Sequence, residues 1–279
     1  MDISTKANLT MRYREEKDYK GLKRAVVFNC SDGYDNWNQR NSKYTFSKGV
    51  AKVDYSWVCN VHAYANALQC GGYTLYSTMY PELERWPDKL AKFCCENNDV
   101  DEYFKNHAYQ MWQLWDNAKK GKVAASVWNN EGYAPLNVHK VLCYAVNLFM
   151  EGDIAEFYDS YKIVDFMKEI TVHNKPVVTS GKFNNLHHIV CVVGAVYDYD
   201  KVQEYLDDDD AFVEHVINGK IYPEFIICDD PWGETNNYAN SKVGNDSHIS
   251  WAAFLSDVKP LGNNTVKYAH ILKGAMATD

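Results

Sequence analysis

The sequence has no run of lysine and arginine, and its 29 basic residues are outnumbered by 37 acidic ones, giving a net charge of -8. Such a balance offers no footprint for a phosphate backbone and argues against nucleic acid as a partner. No stretch of about 18 apolar residues occurs, so no integral membrane segment is expected. The opening "MDISTKANLTMRYREEKDYKGLK" is polar and lacks the apolar core of a signal peptide. The expectation is synthesis in the cytoplasm. Closely spaced Cys-x-x-Cys pairs are missing as well, and neither an internal repeat nor a low-complexity linker divides the chain. A single catalytic-size domain over 1–279 is expected, with 46% hydrophobic residues to build its core.

Eight cysteines are present. In a chain of this length without an export signal, reduced thiols are the expectation. The run "VDYSWVCNVHAYANALQCGGY" singles out Cys59, because "NVHAYANALQ" is compatible with a helix and "CGG" supplies its stop. Cys59 would occupy the first turn, where unpaired N–H groups and the helix dipole favour a thiolate. Free cysteines are also among the most buried residues, so partners elsewhere must decide.

Before that helix, "RAVVFNCSDGYDNW" reads as a strand from Ala25 to Cys30 followed by a turn. After it, the pattern from Pro81 to Gly152 is helical: "PDKLAKFCCEN", "DVDEYFKNHAYQMWQLWDNAKKGK" and "NVHKVLCYAVNLFMEG" carry apolar residues at three-and-four spacing. "YDSYKIVDFMKEI" reads as one further helix. "KPVVTSG", "HHIVCVVGAVYD", "EFIICDDPWG" and "NTVKYAHILKG" read as strands. The acidic Asp207 to Asp210 run reads as a solvated loop, since it lacks the spaced carboxylates and glycine of a calcium loop. Helices first and antiparallel strands later define an α+β order, with a helical insertion at about 81–152.

His188 opens an apolar strand after turn-forming residues, and Asp230 ends the next strand, where Pro231 breaks the ladder. Neighbouring strands would bring the two side chains together. A neutral histidine can take a thiol proton, and a carboxylate behind it fixes its tautomer and supports the imidazolium. The spacing of about 130 residues from Cys59 suits a papain-like nucleophile and its distant histidine. The competing reading makes His188 a core residue and Asp229 and Asp230 turn caps.

"GKFNNLHHIVCVVGAVYD" followed by "IICDDPWGETNNY" resembles the second half of papain-like cysteine peptidases of the bacteriocin-leader-processing (double-glycine peptidase-like) type and their free-standing phage and bacterial relatives. "VCNVHAYANAL" is similar to the nucleophile helix of a branch with Cys-Asn-Val, and "KEITVHNKPVVTSG" resembles the helix and Pro-led strand between Cys and His. The resemblance covers about half the chain. It implies a papain-like fold, with an N-terminal nucleophile helix packed on an antiparallel β-sheet, and a cysteine peptidase that uses no cofactor and no metal. Carried across by position, Cys59 is the nucleophile, His188 the general base and acid, and Asp230 the orienting residue. His187 is the rival to His188, but counting back from Gly194 in the Val-Gly signature selects His188.

Many relatives carry a Gln five or six residues before the cysteine, where this chain has Val53 and Asp54. "NQRNSKY" resembles the segment preceding Cys-Asn-Val in that branch, so Gln39 or Asn41 is the oxyanion candidate beside the Cys59 N–H. No Walker-type "GxxxxGK[ST]" accompanies the motif, which excludes a transporter-fused leader peptidase. The phage-like and wall-lytic relatives make peptidoglycan the leading substrate, with action at the cell wall after release by another factor, and protein or propeptide cleavage as runner-up. A zinc site using His187 or His188, Cys191 and Cys228 is disfavoured, because Cys191 lies three residues after His188, on the opposite side of a regular strand. A degenerate peptidase kept as a peptide- or wall-binding module is the other alternative. Trp128, in the turn-rich "WNNEGY", is a candidate for the substrate cleft, and the insertion as a whole is expected to supply part of the cleft wall.

Overall fold

At Lys20 and Gly21 the chain reverses with positive φ at both residues, 47° and 90°. This is the geometry favoured by a two-residue hairpin, since it matches the twist of the flanking strands. Tyr19 pairs with Leu22 across the turn, joining strand β1 (Tyr13–Tyr19) to β2 (Leu22–Asn29). The computed structural model describes residues 13–31, 34, 36–39, 59–75, 79–96, 135–181, 183, 188–206, 208, 211–212, 214–215, 220–232, 247–258 and 265–274, with backbone alone at 94–96, 135–138 and 141.

The remaining elements are α1 (Cys59–Cys70), α2 (Trp86–Glu96), α3 (Pro135–Phe149), β3 (Ala155–Lys162), α4 (Ile163–Thr171), β4 (Val177–Gly181), β5 (His188–Asp198), α5 (Tyr199–Leu206), β6 (Phe225–Asp229), β7 (Ser247–Ser250), α6 (Trp251–Asp257) and β8 (Thr265–Leu272). All eight described strands belong to one antiparallel sheet, ordered β1-β2-β5-β4-β8-β3, with β6 also on β5 and β7 on β6. The class is therefore α+β. Helices do not simply precede strands as the sequence pattern suggested, because β1 and β2 join the sheet from the N-terminal side.

Strand β5 is the spine. Residues 188–192 pair with β4, residues 194–198 with β2, and residues 191–196 with β6. Because β6 overlaps both other registers, β4 and β2 share the opposite edge end to end. The handover falls at Gly194, beside a register irregularity. A Cβ there would sit 2.1 Å from the Phe28 carbonyl oxygen, so only glycine lets β2 come this close.

Both faces of the sheet are buried, which explains why β5 reads as a nearly continuous apolar run. Side chains alternate between two cores. Ile189, Cys191 and Val193 enter the core shared with α1, α2 and α3. Val190, Val192 and Ala195 enter the core shared with α4 and α6. In α4, Ile163, Phe166, Met167 and Ile170 are buried at helical spacing. The segment "YDSYK", expected at the front of this helix, is instead the end of β3, where Tyr158, Ser160 and Tyr161 pair with Ala269, Lys267 and Val266. Ladder pairing with β8 overrides a helical pattern that begins only at Ile163.

The insertion contributes α2 and α3 to the first core. Trp86 is buried against Phe149, with ring centroids 5.6 Å apart, so this tryptophan is a packing residue rather than a cleft wall. In the acidic segment, Asp208 Oδ1 accepts from the Ala211 N–H at 3.0 Å, which gives at least this carboxylate a capping role. No helix among the described residues is long and apolar enough to cross a membrane.

Candidate active site

Helix α1 is buried from Asn60 to Leu68, held between β5 and α2, while Cys59 at its first position is half-buried. That position carries backbone N–H groups with no partner inside the helix. His188 is the first residue of β5, and Asp230 follows the last residue of β6. Cys191 pairs with Asp229. The end of β6 therefore lies beside the start of β5, which brings Asp230 within reach of His188.

His188 Nε2 donates to Asp230 Oδ1 at 2.7 Å, and both side chains are buried. The carboxylate is fixed in turn, because the same oxygen accepts from the Trp232 N–H at 2.8 Å. With Nε2 committed to a carboxylate, Nδ1 is the nitrogen left for the neighbouring Cys59 thiol. Burial disfavours the imidazolium, but the Asp230 charge and hydrogen bond, with the Cys59 contact, outweigh it and raise the His188 pKa to about 10. The sequence-derived residues Cys59, His188 and Asp230 thus meet, from three separated elements.

A short strap closes one side of this cluster. Asn36 Nδ2 donates to the Asp230 carbonyl and the Gln39 N–H to the Pro231 carbonyl, each at 2.8 Å. On the helix side, Asn66 Oδ1 accepts from the Trp37 N–H and Asn66 Nδ2 donates to Asn36 Oδ1, both at 2.6 Å. Trp37 Nε1 also donates to Gln69 Oε1. Arg85 braces the strap from outside, donating to the Asn38 carbonyl at 2.9 Å. Gln39 is therefore held one residue from the turn that carries Asp230, with its side chain buried. Sequence reading missed Asn36, Asn66 and Gln69. Their spacing of three residues, which sets both on one face of α1, was the available signal for the last two.

Asn41, Trp128 and His187 lie outside the described residues. Cys191 and Cys228 enter opposite cores, which separates two of the ligands a zinc site would need. Among the described residues no group of three or more His, Cys, Asp or Glu side chains is arranged to hold a metal ion.

A second buried polar cluster was not read from the sequence. Tyr64 Oη and His270 Nδ1 are 2.6 Å apart, His270 Nε2 and His139 Nδ1 2.6 Å, and His139 Nε2 and Ser180 Oγ 2.7 Å. Burial pulls the His139 pKa down to about 3, and burial with the neighbouring His139 pulls that of His270 well below its usual value. Both rings are neutral.

No family model matches the sequence, and neither a curated protein nor a solved structure matches it.

Proposed function

We propose that the protein is a papain-like cysteine hydrolase that cleaves peptide bonds through Cys59, His188 and Asp230. The observation that carries this reading is the 2.7 Å bond from His188 to Asp230, made by an imidazole that neighbours the Cys59 thiol. Nucleophile, base and orienting group stand in the order that thiol catalysis requires.

In the proposed cycle, His188 Nδ1 takes the thiol proton and the Cys59 sulfur attacks the substrate carbonyl. Negative charge on the carbonyl oxygen is met by the Cys59 N–H and the Gln39 side-chain amide. The imidazolium then gives its proton to the departing amine, leaving a thioester on Cys59. Water, deprotonated by the same histidine, attacks the thioester and releases the acid. Asp230 holds the Nε2–H tautomer throughout and supplies the countercharge when the ring is positive.

The proposed substrate is a peptide bond of peptidoglycan, its stem peptide or cross-link, supported by the resemblance carried by "HHIVCVVGAVYD" and "IICDDPWG". Purified peptidoglycan and a protein-derived peptide library, each incubated with wild-type and Cys59→Ala protein and read by mass spectrometry, test the reading. New termini in the wild-type peptidoglycan digest alone support it. Cleavage restricted to the library moves the activity to protein processing. Binding by both proteins without cleavage of either material contradicts catalysis.

A further inference from the structure

Donor and acceptor chemistry gives the second buried cluster a direction. Cys143 Sγ lies 3.4 Å from the Ala155 carbonyl, which can only accept, so the thiol donates there. Tyr64 also neighbours Cys143. With the thiol proton committed to Ala155, sulfur offers only an acceptor to the Tyr64 hydroxyl, and in that arrangement Tyr64 accepts from His270 Nδ1–H. His270 Nε2 is then bare and accepts from His139 Nδ1–H, and His139 Nε2 accepts from the Ser180 hydroxyl. His270 must be neutral here, since a second proton at its Nε2 would face the His139 Nδ1–H. The result is a one-way chain that begins at part-buried Ser180 and ends at a backbone carbonyl.

This chain joins α1 to four other elements: β8 through His270, α3 through His139 and Cys143, β4 through Ser180 and β3 through Ala155. Its attachment point on α1 is Tyr64, five residues after Cys59, or about 7.5 Å along the axis at 1.5 Å per residue. The neighbouring residues on α1 include Ala63, Ala65 and Ala67, all fully buried. Alanines give a smooth surface with few ridges, and such a helix resists sliding and rotation weakly. A directional hydrogen bond at Tyr64, held by two buried and hydrogen-bonded imidazoles, supplies the registration that alanine packing does not. His139 itself packs on both Tyr268 and Phe157, at centroid distances of 4.7 and 5.5 Å.

We propose that Tyr64, His270, His139 and Ser180 are positioning residues for Cys59, fixing the depth and rotation of α1 so that the thiol meets His188. The proposal rests on the catalytic reading given above. It assigns these four residues no contact with substrate. Their effect acts through the geometry of the sulfur–imidazole pair, for which a displacement of about 1 Å can cost up to about 10²-fold in rate.

The test compares two small alkylating reagents on Cys59, followed by peptide mapping at neutral pH. A thiolate beside an imidazolium attracts anionic iodoacetate over neutral iodoacetamide, whereas an isolated thiol does not. The ratio of the two rates therefore reports the sulfur–imidazole pair and not the stability of the fold. Wild type should show a ratio well above that of a free thiol such as glutathione. Tyr64→Phe keeps the ring packed on His270 but opens the chain, and should lower the ratio about tenfold, with matched circular dichroism. Ser180→Ala opens the chain at its part-buried end and should lower the ratio by less, which guards against instability of the first variant. A wild-type ratio equal to that of glutathione would overturn the catalytic reading and this proposal with it. A high wild-type ratio unchanged in both variants would overturn the positioning role alone.

Discussion

Asp230 Oδ1 accepts two hydrogen bonds, from His188 Nε2 at 2.7 Å and from the Trp232 N–H at 2.8 Å. The second bond fixes the carboxylate through its own backbone turn, so the orientation of the imidazole does not depend on the mobility of a long side chain. Asp230→Asn should slow turnover by about 10²- to 10⁴-fold with the fold intact, because an amide can hold the wrong tautomer and supplies no countercharge. Asp229→Asn should be much milder. Turnover of the two proteins with matched circular dichroism gives the comparison, and a severe defect in the Asp229 variant alone would reverse the roles.

The strap predicts a different signature. Asn66 both donates to Asn36 and accepts from the Trp37 N–H. Asn66→Ala leaves buried polar groups of the strap without their partner, at about 1–3 kcal/mol. Because the same strap carries Gln39, activity should fall further than the loss of stability explains. Urea unfolding beside kinetics measured far below the midpoint separates the two effects. Full activity at reduced stability would limit the strap to a structural role.

The histidines set opposite pH limbs. His139 and His270 have lowered pKa values in the fold, so below about pH 6.5 the unfolded chain binds protons that the folded chain refuses, and stability falls with acid at up to about 1.4 kcal/mol per pH unit for each. Half-buried His173 acts in the same direction, with burial the main cause. His188 is raised to about 10, so its contribution is full below about pH 6.5 and is lost as pH rises toward 10. Stability should therefore peak near pH 6.5. Urea unfolding from pH 5 to 9 should show both limbs, with the acid limb shallower in His139→Gln. A curve that rises steadily between pH 6.5 and 5 would contradict the neutral buried pair.

Gly194 predicts a severe packing defect. Its missing Cβ would lie 2.1 Å from a backbone oxygen, which no rotamer change relieves. Gly194→Ala should cost more than about 3 kcal/mol or prevent folding. Near-normal thermal stability would mean that β2 and β5 separate without penalty.

Local patterns carried much of this architecture. The apolar run after His188, the helical stop at Cys70 to Gly72 and the Pro-terminated strand at Asp230 each show in a few consecutive residues. Strand β1 did not, because "YREEKDY" is mostly polar and becomes a strand through pairing with β2. The β3–α4 junction was hidden for a related reason, since its strand half is fixed by β8, more than a hundred residues away. In the site, Cys59, His188 and Asp230 were legible because each stands at the end of an element. The strap and the Tyr64–Ser180 chain were not, because their members are scattered and acquire meaning only through long-range hydrogen bonds.

The central claim is that Cys59 is the nucleophile. Brief treatment with limiting iodoacetamide, followed by peptide mapping of all eight cysteines and assay of the residual activity, tests it most directly. The account predicts that Cys59 is alkylated first, that hydrolysis is lost in proportion, and that His188→Ala abolishes the preference. Alkylation elsewhere with Cys59 untouched, or complete modification of Cys59 with hydrolysis retained, would contradict it.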